Sequence, residues 1–312
     1  MDNIYILEKI EVAKIKQKSG KISEANKIFQ DLIKSDGNSF IVLYSYGLFC
    51  RDLKNLGLAK KVFFSLINKF PKSINSFILL AEILRMENKF KDAERVLQKA
   101  LENHSNHADL IYNFSLLYFF MRKFDDAINY VNKAIELSSN NDIYKFLKAE
   151  IYINKSNFVE AQNILERLKN KNKYKKDNNL DIRSNLLIAN IYSKQNKFEE
   201  AEKILLMLIK NYKSLEIAYL NLSTLYSQKN QLSKSIKILK KGIKVSPNYM
   251  PFFKNLASFY RNSGQIKLAI ETNLYLISKN QFDFKSFFEL SGIYDFKNHK
   301  NKLDFLINTK LD

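Results

Sequence analysis

Small residues recur along the chain at an interval of 34 positions. A second series of small residues lies twelve positions before the first, and an apolar residue follows four positions after it. A period in this range is typical of stacked repeats, and one of about 34 predicts a unit of two antiparallel helices. The first series is Ala25, Ala59, Ala93, Ala127, Ala161, Ala201, Ser235 and Ala269; the second is Ala13, Gly47, Ala81, Ser115, Ala149, Ala189, Ser223, Ala257 and Ser291.

The small residues predict where the two helices of a unit cross. Helix axes approach to about 8–10 Å only where the side chains between them are small. Larger apolar residues such as Phe29, Phe63 and Leu97 then fill the remaining space. One pair does not bury its apolar face alone, so each unit depends on its neighbours. The pattern therefore predicts an all-α protein of stacked helix pairs.

The turn inside each unit also has its own position. Gly and Asn enter the left-handed conformation at a helix end more easily than other residues. Lys54, Arg122 and Ser156 occupy this position in three units, and we expect slightly different turns there. The remaining units have Gly20, Asn88, Asn196, Asn230, Gly264 and Asn298.

A tyrosine column completes the pattern three positions after the second small series, with Cys50 and Leu84 in the two early units. The chain resembles the tetratricopeptide repeat (TPR) family, whose pattern is W-x2-L-G-x2-Y, then A-x3-F, then P. The chain departs from it by lacking Trp and by a degraded pattern between residues 142 and 181, where Lys145 and Lys148 replace apolar residues. Residues 40–73 fit best, through Leu43, Gly47, Ala59, Phe63 and Pro71.

The resemblance implies a right-handed superhelical solenoid over residues 1–312, with about eight full repeats and a partial ninth. The alanine series shifts by about six positions after Ala161, which predicts an insertion at 176–181. The predicted repeats are 6–39, 40–73, 74–107, 108–141, 142–175, 182–215, 216–249, 250–283 and the partial 284–312.

Composition agrees with continuous helices, since the chain has only 7 Gly and 3 Pro. No apolar run reaches about 18 residues, so we expect no membrane span. Residues 1–9 lack the pattern of a signal peptide. Cys50 is the only cysteine, which excludes a disulfide framework and favours a buried apolar role. We therefore expect a cytoplasmic protein.

The chain is strongly basic, with a net charge of +19. This charge leaves open a nucleic-acid or acidic-surface binder, although most lysines are scattered over predicted polar faces and turns. Two clusters stand out, and for both we favour a solvated surface over an anion site. They are Lys169, Lys171, Lys173, Lys175 and Lys176 at the predicted insertion, and Lys234, Lys237, Lys241 and Lys244 on one helix face.

Catalytic motifs are absent from the sequence. The three histidines, His104, His107 and His299, have no metal-binding spacing, and Cys50 has no evident His partner. No glycine-rich phosphate loop occurs. The acidic pairs at residues 125–126 and 199–200 fall at helix starts, where they complement the helix dipole. We therefore expect no enzyme activity, no cofactor and no metal.

A binding surface remains as the candidate site. In TPR arrays the first helix of each unit lines a concave groove, so the resemblance places certain residues there. Asn113, Asn221 and Asn255 share one position and resemble the asparagine ladder in the repeat arm of O-linked N-acetylglucosamine transferases. An Asn amide both donates and accepts, so a row of them can hold a peptide backbone. The predicted groove residues are Tyr44, Arg51, Asn75, Arg85, Tyr112, Asn113, Asn190, Asn221, Lys254, Asn255 and Arg261.

The leading hypothesis is a non-catalytic scaffold that binds a peptide or partner helix in this groove. Arg51, Arg85, Lys254 and Arg261 favour acidic ligands. A second hypothesis is the substrate-recruiting arm of a bacterial glycosyltransferase or sulfotransferase whose catalytic domain is absent or separate, so that the partner is a transferase. The third is nucleic-acid or acidic-surface binding, which predicts a steep dependence of affinity on salt.

Overall fold

The computed structural model describes residues 3–172, 178–279 and 284–292, which form α-helices joined by short turns. Lys173, Lys175, Lys176, Tyr294, Asn298 and His299, and the end of the predicted ninth repeat, lie outside these residues. The helices are α1 (Asn3–Lys18), α2 (Ile22–Asp36), α3 (Phe40–Asp52), α4 (Leu56–Lys69), α5 (Ile74–Met86), α6 (Phe90–Asn103), α7 (Ala108–Phe120), α8 (Phe124–Leu137), α9 (Asp142–Asn154), α10 (Phe158–Asn172), α11 (Asn178–Lys194), α12 (Phe198–Asn211), α13 (Glu216–Gln228), α14 (Leu232–Val245), α15 (Met250–Asn262), α16 (Ile266–Lys279) and α17 (Phe284–Ser291).

The helices stack as antiparallel pairs, which confirms the predicted all-α class. We call the odd-numbered helices first helices and the even-numbered ones second helices. In Met1–Ile164, α3 packs on α4, α5 on α6 and α7 on α8, and each second helix contacts the following first helix. In Leu165–Asp312 the same arrangement links α11 through α16. The chain divides into these two compact units, and the predicted single array with its repeat boundaries stays a prediction.

The small residues are buried where the predicted crossings lie. All seven alanines of the first series are 0% exposed. Where serine replaces alanine, its hydroxyl adds a contact between the two helices. The Ser115 Oγ donates to the Ala127 carbonyl at 2.7 Å, and the Ser235 Oγ donates to the Ser223 carbonyl at 2.9 Å. The serines therefore keep the close approach and satisfy their own polar group.

The turns inside the units are alike, and the expectation that three of them differ was wrong. Lys54, Arg122 and Ser156 have φ of 60°, 60° and 61°, close to the 58° of Asn88. Each turn within the described residues is closed by the same backbone hydrogen bonds, as where the Lys123 amide donates to the Tyr118 carbonyl at 2.9 Å. This pattern of hydrogen bonds fixes the left-handed residue whatever its side chain.

The segment around the shift in register is more helical than its sequence suggests. Helix α10 includes Lys169 and extends to Asn172, while α11 begins at Asn178, so residues 178–181 of the predicted insertion are helical. The insertion itself stays a prediction. The degraded pattern also folds regularly, since α9 buries six residues and the Lys148 ammonium lies 5.8 Å from the Tyr152 ring centroid. A long aliphatic stem lets lysine cover apolar surface while its charge stays in water.

Candidate functional site

The predicted groove residues all lie on first helices, and all are at least partly exposed. Six of them belong to the first unit and five to the second, and the two sets have different surroundings. The first-unit set comprises Tyr44 and Arg51 on α3, Asn75 and Arg85 on α5, and Tyr112 and Asn113 on α7; the second-unit set comprises Asn190 on α11, Asn221 on α13, and Lys254, Asn255 and Arg261 on α15.

In the first unit, contacts within the chain engage the two arginines. An Arg51 Nη lies 2.9 Å from Asp52 Oδ1, and another lies 3.9 Å from Glu82 Oε2. The Arg85 guanidinium lies 4.2 Å from the centroid of the Phe120 ring, and burial lowers its pKa. The guanidinium groups of Arg51 and Arg85, which we predicted to bind acidic ligands, therefore already contact carboxylates and a ring of the chain itself.

The aromatic and amide groups of α7 are likewise engaged. The Tyr112 ring stacks on Tyr144 with the centroids 4.8 Å apart. The Tyr144 hydroxyl donates to Asp109 Oδ1 at 2.5 Å, and burial with this hydrogen bond raises the tyrosine pKa. The Asn113 amide donates to the Asp109 carbonyl of its own helix at 2.8 Å. One donor of the Asn113 amide is therefore used within α7.

In the second unit, asparagines line a pocket between neighbouring first helices. Asn190 and Asn221 border a cavity of about 160 Å³ together with Thr224. At its edge, the Ser193 hydroxyl of α11 donates a hydrogen bond to the side-chain Oε1 of Gln228 on α13 at 2.6 Å. Within the described part of the chain, neither asparagine amide has a hydrogen-bond partner. These two amides can therefore bind a ligand without losing an internal contact.

The pattern continues on α15. Asn255 lies 34 positions after Asn221, and it too has no hydrogen-bond partner among the described residues. Lys254 is half-buried beside it, and Arg261 is exposed near the end of the helix. The first helices of the second unit therefore present three asparagine amides that are unpaired among the described residues, and Lys254 and Arg261 add positive charge nearby. Most of the predicted groove residues of the first unit make contacts within the chain.

Other residues considered in the sequence occupy structural positions. Cys50 is 2% exposed, and burial raises the pKa of its thiol, which opposes a thiolate nucleophile. His104 Nε2 and His107 Nδ1 are buried without a hydrogen-bond partner, but the described residues contain no cluster that could hold a metal ion. Lys234, Lys237, Lys241 and Lys244 of α14 are exposed, as predicted for a solvated face.

A larger cavity that the sequence interpretation missed lies in the first unit. It has a volume of about 580 Å³ and opens between α4 and α6, with α5 as its floor. We call it the Leu84 pocket. The sequence held one signal for it, because Leu84 interrupts the tyrosine column.

Comparison with known proteins agrees with the helix pairs described above. The chain belongs to the Iml2/Tetratricopeptide repeat protein 39 family, whose model matches residues 38–239. No curated protein matches the chain.

Three solved structures share the fold at low identity, so the likeness shows the fold alone. A tetratricopeptide repeat protein from Parabacteroides merdae ATCC 43184 is 16% identical with a TM-score of 0.60, covering 84% of this chain and 97% of that one. Yeast Tom70 is 17% identical with a TM-score of 0.68, covering 89% of this chain but 59% of Tom70. The APC/C hetero-tetramer Cut9-Hcn1 is 15% identical with a TM-score of 0.54, covering 87% and 52%. No helix in the described part is long and apolar enough to cross a membrane.

Proposed function

We propose that the protein is a non-catalytic interaction scaffold that binds an extended peptide along the first helices of its second unit. The observation that carries this proposal is the pair of unused amides, Asn190 and Asn221, facing one pocket. Asn255 extends the same position to the next repeat. Repeat proteins commonly use such extended surfaces for binding, and the family membership agrees with this role.

The chemistry of the site favours recognition of the peptide backbone. An asparagine side chain offers two donors and an acceptor, which matches the carbonyl and amide of a peptide unit. Such contacts do not depend on the side chains of the ligand. Lys254 and Arg261 add positive charge at one end of the surface, and this favours ligands with acidic residues and speeds their association.

Affinity capture from the native cell lysate, followed by mass spectrometry, tests the proposal. The test variant combines Asn221→Ala, Asn255→Ala, Lys254→Glu and Arg261→Glu. The control variant combines Lys237→Glu and Lys241→Glu on the exposed face of α14, so that both variants change the net charge equally. We expect at least one protein to be captured by the wild type and the control but lost from the test variant.

A partner retained by the test variant and lost from the control would contradict the proposed site. The hypotheses of a transferase arm and of nucleic-acid binding have no contact or cavity in their favour here. The capture experiment also reports a transferase or a nucleic-acid complex if either is bound.

A further inference from the structure

The Leu84 pocket has an apolar floor and a basic rim. Leu80 and Leu84 of α5 and Val96 of α6 form the floor, and the first two are 1% and 6% exposed. Phe64 of α4 stands at the side of the cavity with 56% of its surface exposed, although it is a large apolar residue. A concave apolar cavity of this size is the usual form of a ligand site.

One repeat later, the chain fills the equivalent space with its own side chains. Leu80, Leu84 and Val96 correspond, 34 positions on, to three aromatic residues. There the Tyr130 ring stacks on Phe114 and on Tyr118, with centroids 5.2 Å apart in both cases and interplanar angles of 15° and 8°. The pocket therefore exists because this repeat has three aliphatic residues where the next repeat has three rings.

The surroundings of the filled site show what an aromatic group would meet in the open one. The Lys123 ammonium lies 5.7 Å from the Tyr118 ring centroid, and Lys89 holds the same position in the repeat that has the pocket. A lysine over a ring is favourable because the face of the ring is negative. A guest ring in the Leu84 pocket would thus have Lys89, whose ammonium lies 2.9 Å from Glu87 Oε2, at the repeat position from which Lys123 covers the Tyr118 ring.

The edge of the Leu84 pocket has a positively charged residue where the aromatic-filled sites of other repeats have a negatively charged one. The Tyr118 hydroxyl donates to Glu94 Oε1 at 2.6 Å, and the Tyr226 hydroxyl donates to Glu202 Oε1 at 2.8 Å. In the pocket, Lys60 takes the place of these glutamates. An ammonium at this edge attracts an anionic group next to the ring, where the filled sites hold a carboxylate of the chain itself.

The rest of the rim has the same sign. Lys61 and Arg95 also border the cavity. Among the described lining residues Asp92 is the only acidic one, and its Oδ1 lies 3.4 Å from an Arg95 Nη. The Glu87 carboxylate sits between two of the cations, 2.6 Å from Lys60 Nζ and 2.9 Å from Lys89 Nζ. The positive groups around the opening therefore outnumber the carboxylates that neutralise them.

We propose that the Leu84 pocket is a docking site for a partner protein that inserts a phenylalanine or tyrosine side chain flanked by acidic residues. The missing rings define the aromatic anchor, and the basic rim defines the acidic flanks. This site belongs to the first unit and is walled by second helices. It is therefore separate from the peptide surface proposed above, and either proposal can fail alone.

The test uses the full chain and a synthetic acidic heptapeptide with a central phenylalanine. Binding is followed by calorimetry and by the methyl NMR signals of Leu80, Leu84 and Val96. A matched peptide with a central alanine measures the contribution of charge alone. We expect the phenylalanine peptide to shift these methyl signals and to bind about tenfold or more tightly than the alanine peptide, as for a buried aromatic anchor.

The decisive variant is Leu84→Tyr, which gives this repeat the residue found at positions 118 and 226. We expect it to fold, as helical circular dichroism would verify, and to lose the binding of the phenylalanine peptide about tenfold or more. Lys60→Glu with Lys61→Glu tests the rim, and Lys237→Glu with Lys241→Glu is its charge-matched control. Only the first pair should weaken binding.

Three results would overturn the proposal. The first is equal binding of the phenylalanine and alanine peptides, which would reduce the site to a charge effect. The second is unchanged binding by Leu84→Tyr. The third is concentration-dependent dimerisation of the chain, seen by analytical ultracentrifugation and abolished by Leu84→Tyr, since the occupant would then be a second copy.

Discussion

Individual residues in this protein adopt conformations that their neighbours impose. Lys54, Arg122 and Ser156 are left-handed at the ends of their first helices, although nothing in these side chains favours that conformation. The hydrogen bonds that close the turn are the same as those around Asn88 and Gly20. The unfavourable backbone geometry of a lysine, arginine or serine is therefore tolerated because the repeat requires the turn.

Replacing Arg122 by glycine should stabilise the protein. An L-residue pays about 1 kcal/mol in the left-handed region, and glycine does not. We expect the free energy of unfolding, measured in urea, to rise by up to about 1 kcal/mol. The matched control is Gly20→Ala, which should lower it by a similar amount because Gly20 has φ of 78°. A loss of stability in Arg122→Gly would mean that the arginine side chain contributes more than its backbone costs.

A buried tyrosine makes the free energy of unfolding depend on pH in the alkaline range. Burial, and then the hydrogen bond to Glu202, raise the pKa of Tyr226 from 10.0 to about 12. The folded state holds the phenolic proton more tightly than the unfolded state, so stability is full below pH 10 and is lost as pH rises toward 12. Tyr226→Phe should reduce the slope of unfolding free energy against pH between these values. An identical slope in the variant would assign the alkaline loss to other groups.

At the level of the helices, each second helix packs on the next first helix through side chains of complementary size. Near the end of every second helix except α10 lies a residue whose counterpart, ten positions later, lies on the next first helix. In all of these pairs except Leu32 and Val42, one side chain is large and the other is small. At one boundary the contact is direct, because a Cβ on Gly242 would lie 2.6 Å from Phe252 Cζ. The other pairs are Leu32 and Val42, Leu66 and Ser76, Ala100 and Leu110, Ala134 and Tyr144, Leu208 and Ala218, and Leu276 and Ser286.

This fit predicts that two damaging substitutions compensate for each other. Gly242→Leu should overpack against Phe252 and cost about 1–3 kcal/mol, and Phe252→Ser should leave a cavity and cost about 3–5 kcal/mol. The double variant recreates the Leu66 and Ser76 pair found between α4 and α5. We expect its unfolding free energy to exceed the additive value by about 1–3 kcal/mol. Additive costs would show that the two positions do not act as a unit.

At the scale of the whole molecule, charge opposes folding. The net charge is +19, and many lysines lie on exposed faces of second helices. Like charges destabilise a compact state. Salt shortens the range of this repulsion, from a Debye length of about 30 Å at 0.01 M to about 8 Å at 0.15 M.

The melting temperature should therefore rise with sodium chloride over this range of concentration. The exposed ion pairs weaken at the same time, but such pairs contribute little. Lys237→Glu with Lys241→Glu lowers the net charge on an exposed face, so this variant should show a smaller rise. A melting temperature that falls with salt would indicate that ion pairs outweigh the repulsion.

Periodicity in the sequence was enough to predict the class of fold and the positions of the close contacts. A column of small residues repeats because two helices cross at the same place in each unit, and Ala25 through Ala269 are buried there. Periodicity of this kind depends on local geometry and on nearest neighbours, so it can be read from one chain. The asparagine positions were also predicted, and their role in binding stays a prediction.

The availability of polar groups and the positions of open cavities became apparent from the packed helices and could not be predicted from the sequence. Arg51 and Arg85 looked free in the sequence, but Glu82 and Phe120 come from other repeats and engage them. The Leu84 pocket likewise arises from side chains of α4, α5 and α6 together. A column in the sequence gives the position of a residue within its repeat, whereas a cavity or an ion pair depends on volumes and distances between repeats, which only the packed structure contains.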